Sequence, residues 1–160
     1  MISPGRLDIS ADRWVACIRE LAFFGVDFTA ADFTAQVRQT PDAAGSPLVS
    51  LTTQVSSAAE GIYLSYAGSD TINNHITAGR LAEVPDAVNP DTNLPFTGTD
   101  VVELSLVRLR INETTMEALP LPGERGNDLE YAWDLHVTPS GGIKDKYLGG
   151  KFTIRAGVTQ

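Results

Sequence analysis

The chain has 160 residues with twelve basic against twenty acidic ones, a net charge of −8. That balance opposes attraction to a phosphate backbone, and no stripe of Lys or Arg relieves it, so nucleic-acid binding is not expected. A single cysteine, Cys17, excludes an intramolecular disulfide framework and favours synthesis in a reducing cytoplasm.

The length suits one domain, 1–160, able to bury roughly two-thirds of its unfolded surface without metal or disulfide. Apolar runs such as Leu21 to Val26 are far short of a membrane span, and the opening residues lack the basic-then-apolar order of a signal sequence. A soluble chain without membrane insertion is expected. Residues 1–12 hold Pro4 and Gly5 and no sustained period, the pattern of an N-terminal arm that lies on the domain or reaches toward a neighbour.

Arg13 to Leu21 reads as a first strand with Trp14, Ala16 and Ile18 on one face, and Cys17 as a small core residue. Gly25 to Phe33 reads as a turn with one helical turn capped by Thr29. Phe33, Ala35 and Val37 alternate with polar residues in a second strand that ends at the Pro41 to Gly45 turn. Leu48 to Gln54 supplies a third strand, and Gly61 to Tyr66 a short fourth one, packed on one side.

From Gly68 to Thr99 the chain holds Gly79, Pro85, Pro90, Pro95 and Gly98 and shows no sustained period. A loop of that length inside a compact domain is usually functional or ordered by a partner, so residues 68–99 are expected to form an inserted loop. Val101 to Ile111 is a strong strand whose apolar residues change parity, which predicts a bulge near Leu106 and Val107. Asn112 then caps a short helix over Glu113 to Leu119, halted by Pro120 and Pro122, before a polar loop from Gly123 to Asp128.

Tyr131, Trp133, Leu135 and Val137 alternate with Ala132, Asp134, His136 and Thr138, a half-buried strand. Lys144 to Leu148 is expected to return beside it, Gly149 and Gly150 to reverse the chain again, and Phe152, Ile154 and Ala156 to close a meander. Such a series of short strands with one short helix argues for an all-β fold, an antiparallel immunoglobulin-like β-sandwich.

Chemistry is sparse. His75 and His136 are the two histidines, and neither stands in a nucleophile-elbow or thiol-protease context. Asp134 and His136 share a strand face and offer two metal ligands without a third, so a polar face is the simpler reading. Asp86 to Asn93 gathers oxygen ligands, but Pro90 interrupts it and it lacks the bidentate Glu of a calcium loop. Neither Gly-Gly pair precedes a helix, so neither cradles phosphate. No catalytic residue, metal site or cofactor is therefore assigned, and the chain is read as a non-enzyme.

Three segments, Asp27 to Thr53, Val102 to Pro120 and Tyr131 to Thr159, form a series that resembles tailed-phage tail-tip and baseplate β-sandwich proteins. The resemblance is to the N-terminal module that anchors upper baseplate or tail-fibre proteins, and it covers about two-thirds of the chain, a typical module size. It implies a virion protein made in the host cytoplasm, which docks on the tail core and contacts neighbouring copies or a fibre. Homo-oligomers and other tail, baseplate or fibre proteins are the implied partners, with Ile2, Leu7, Leu94 and Phe96 as candidate anchors. A module that binds a host glycan or receptor, and a capsid decoration protein, are the alternatives.

Overall fold

The structure, a computed structural model, describes residues 4–120 and 127–155. Its strands are β1 (Gly5–Arg6), β2 (Ile9–Asp12), β3 (Cys17–Phe24), β4 (Asp32–Arg38), β5 (Val49–Gln54), β6 (Gly61–Thr71), β7 (Val88–Asn89), β8 (Leu94–Pro95), β9 (Val101–Ile111), β10 (Leu129–Thr138) and β11 (Asp145–Arg155). Two short helices, α1 (Ile72–Thr77) and α2 (Glu113–Ala118), complete it, one more than expected. The fold is all-β. Nine strands form one curled sheet in the order β1-β11-β10-β4-β5-β6-β9-β3, with β2 also on β11, and β7 and β8 pair separately.

The alternating segments behave as their periodicity predicts. Leu129, Tyr131, Trp133, Leu135 and Val137 of β10 are buried, as are Phe33, Ala35 and Val37 of β4, and these side chains meet in one core with Val107, Leu109 and Ile111 of β9. Most pairings are antiparallel, but β1 and β2 run parallel to β11 and β5 runs parallel to β6. The sheet bends at that last junction, where only Thr53↔Ile62 and Gln54↔Tyr63 pair. Gly61 makes the crossing possible: its φ is +141°, and a Cβ there would meet Gln54 Cγ and lie 2.6 Å from the Thr52 carbonyl.

A bulge does lie at Leu106 and Val107, as expected, but in the partner strand. The extra residue lies on the partner strand, at Ser65 of β6, where Leu64 faces Val107 and Tyr66 faces Leu106. Strand β9 itself is unbroken, and Val102 and Leu104 lie on its other face, where they are buried, as is Ile72 of α1, outside the main core. Residues 68–99 are accordingly not one inserted loop. Strand β6 runs on to Thr71, whose hydroxyl accepts from Asn74 N at 3.2 Å and starts α1. The helix lays Ile72 and His75 against the sheet, with His75 Nε2 3.2 Å from the Val102 carbonyl. At six residues it is too short to display a helical period.

Three further expectations are corrected. The first strand runs over Cys17–Phe24 and not from Arg13, with Cys17 buried as the core residue expected and Trp14 and Ile18 exposed. The turn before β4 holds no helix. Asp27 accepts from Thr29 N at 2.8 Å, Ala30 adopts a φ of +56°, and buried Ser105 ties the turn down, accepting from Phe28 N and donating to Val26 O. Gly149 and Gly150 do not reverse the chain but lie inside continuous β11. A Cβ on Gly150 would strike the Leu7 carbonyl, so the pair admits the N-terminal segment.

That segment takes the first of its two expected courses and lies on the domain. Leu7 N donates to Gly149 O at 3.1 Å, Leu7 O accepts from Trp133 Nε1 at 2.8 Å, and β2 continues beside Phe152 to Arg155. Helix α2 begins after Asn112 as expected, but the Asn112 side chain accepts from Arg110 and caps nothing. Glu60 takes that role across the fold, accepting from Asn112 N at 2.6 Å and Thr115 Oγ1 at 3.0 Å. Residues 123–126 of the expected polar loop and the final Ala156 of the expected meander lie outside the described residues, as does Pro122.

Candidate interaction surface

The outward residues of β4, β10 and β11 form the floor of an open groove of about 520 Å³, rimmed by Pro4, Arg6 and the turn at Pro41. Its floor is low because Ala132 and Gly149 present almost no side chain between taller polar neighbours. Arg38 serves structure: it donates to the Ala43 and Gly45 carbonyls at 3.0 and 2.7 Å and to Gln36 Oε1, fixing the turn beside the groove. Lys151 and Glu130 pair at 2.8 Å at one end. At the other end Asp134 Oδ1 stands 3.6 Å from His136 Nδ1 and is buried without a hydrogen bond. Lys146 lies over Gly149 and has no ion-pair partner among the described residues.

Asp134 and His136 thus share one face, as their spacing predicts, and face each other as a pair. Among the described residues no group of three or more His, Cys, Asp or Glu could hold a metal ion. Cys17 is buried in the core and pairs across the ladder with Ile111; burial pushes its thiol up from the ordinary value, only partly countered by Arg19, and so leaves little thiolate at neutral pH. His75 is fully buried under Tyr66, edge to face at 5.8 Å. Arg80 lies over the Tyr66 ring at 4.1 Å and pairs with Asp70 at 3.3 Å.

A second surface is apolar. In the β7–β8 hairpin Val88 is 55% and Leu94 63% exposed, and Phe96 packs edge-on against Phe24 at 5.1 Å, anchoring the hairpin to the end of β3. Trp14, Val15 and Ile18 are exposed at the start of β3. Elsewhere the seam between β3 and the β2–β11 edge is closed by side chains. Arg19 Nη2 donates to the Ser10 carbonyl, and Phe23, Phe28 and Tyr147 stack edge to face with centroids 5.0 to 6.4 Å apart.

The four residues named as anchors have separate fates. Leu94 is the exposed tip of the hairpin, and Phe96 lies partly covered beside it. Leu7 is packed on the core of its own chain, and Ile2 lies outside the described residues. The groove residues Lys146 and Gln36 are beyond sequence reasoning, because only strand register brings Gln36 beside Asp134 and Lys146 beside His136. The signal that did point there was the polar parity opposite Tyr131 and Trp133. No protein-family model matches the chain, and no curated protein matches it.

Proposed function

We propose that the chain is a non-enzymatic structural protein of a phage tail or baseplate, which docks on the tail core and contacts neighbouring copies or a fibre. On this reading the two halves of the curled sheet, joined at the β5–β6 bend, are the layers of an immunoglobulin-like sandwich that serves as a rigid platform. The observation that carries the reading is the hairpin. It holds Val88 and Leu94 together in solvent on one short paired element, while its base is fixed by Phe96 on Phe24. Exposed apolar side chains on a fixed base lose little freedom on docking, which favours a protein partner. The motif series in Asp27–Thr53, Val102–Pro120 and Tyr131–Thr159 supports the choice of a tail component among possible assemblies.

The polar groove favours one second reading, a glycan- or receptor-binding module, since Asp134 offers a free acceptor and Lys146 free donors for hydroxyl groups. Co-sedimentation separates the two. A tail component enters purified particles in a fixed ratio to the other tail proteins and resists a salt wash. A chain recovered only from the soluble fraction, and retained on a glycan matrix, would favour the second reading.

A further inference from the structure

We propose that the groove over β4, β10 and β11 receives the acidic β7–β8 hairpin of a second copy of this chain, in a head-to-tail contact. The inference rests on the assembly reading above and supplies it with an interface. The groove is cationic in an acidic molecule: Arg6, Arg38, Lys146 and Lys151 line it against Glu130 and Asp134, in a chain of net charge −8. Lys146 is its uncommitted charge. The hairpin segment is the converse, with Glu83, Asp86 and Asp91 exposed and without an ion pair among the described residues. Arg80, the nearest cation in sequence, is turned to Asp70.

The apolar parts agree as well. Val88 and Leu94 would lie against Pro4, Pro41 and Ala132, a low surface bounded by the charges. No hairpin residue lines the groove of its own chain. The hairpin is tied to β3 by Phe96 on Phe24, and a second copy supplies the occupant. Groove and hairpin are different patches, which makes the contact heterologous and lets it close a ring or extend an array.

Sedimentation velocity of the purified full chain tests this. The wild-type chain self-associates with rising concentration, and association weakens steeply between about 0.05 and 0.5 M NaCl. Lys146→Glu, or Asp86→Lys with Asp91→Lys, weakens it by about tenfold or more, and mixing the two variants restores association because each then complements the other. Unchanged thermal unfolding shows that the variants fold; if one does not, the salt dependence of the wild type decides. A wild-type chain that stays monomeric, or association indifferent to salt and to both variants, overturns the proposal. A monomeric chain that still enters particles removes this contact alone. Self-association that follows the charge swaps in a chain absent from particles keeps the contact and removes the tail reading.

Discussion

At the scale of single residues, the fold depends on a few positions where backbone passes close to backbone. Gly61 is one, because both its φ and the nearby Thr52 carbonyl forbid a side chain. Gly61→Ala is expected to cost about 2 kcal/mol or more, read from the urea midpoint, whereas Gly45→Ala, with open space around it, costs only the strain of its positive φ. Asp8 is a second such position. Its carboxylate accepts from Lys151 N at 2.9 Å and from Arg6, and these bonds, the backbone one first, hold its carboxyl below the usual aspartate value. A depressed carboxyl contributes stability above its unfolded value, near ~4, and loses it as the pH falls through the lower folded value. Acidification is therefore expected to free the Lys151 amide to hydrogen exchange before β10 opens, and Asp8→Asn to weaken that pH dependence. A protection factor at Lys151 that is flat from pH 5 to about 2 would refute the link.

Among the elements, α2 and α1 show how distant parts of the chain complete local structure. Glu60 sits at the entrance to β6 yet satisfies the first turn of α2, so Glu60→Ala leaves the Asn112 and Thr115 donors without their acceptor. A loss of about 1–2 kcal/mol is expected, larger than for Asn112→Ala, whose side chain caps nothing. Helix α1 closes the second apolar layer on the outside of β6 and β9, and Ile72→Ala should cost about 2–5 kcal/mol. A loss below about 1 kcal/mol would show that the layer adds nothing to the main core.

These elements also mark what the sequence reveals and what it hides. The alternations in β4 and β10 are read directly, because a strand covered on one face writes its burial into every second residue. The parity change in β9 is visible too, but the cover that α1 gives the other face near Val102 is not encoded in local pattern. Thr71 as a cap and the Ile72–His75 spacing are the traces of α1, too brief to outweigh the surrounding prolines and glycines. Gly149 and Gly150 mislead because glycine in a turn and glycine beneath a crossing chain look alike; the difference is the Leu7 carbonyl, more than a hundred residues away. Of the candidate site, the polar parity at Asp134 and His136 and the apolar hairpin residues are legible, while the groove needs the register of three strands.

On the scale of the whole molecule, one curled sheet keeps its polar groove and its apolar, acidic hairpin on separate parts of the surface. The buried residues account for a stable platform, and the exposed ones for contacts made elsewhere. The central claim is that this platform is a built-in part of a phage tail. A reconstruction of the intact particle tests it most directly. Density for the curled nine-stranded sheet at the tail or baseplate, with Leu94 and Val88 covered by a neighbouring chain, is the result expected. A particle in which every tail position is filled by other chains, with this one found free in the lysate, would contradict it.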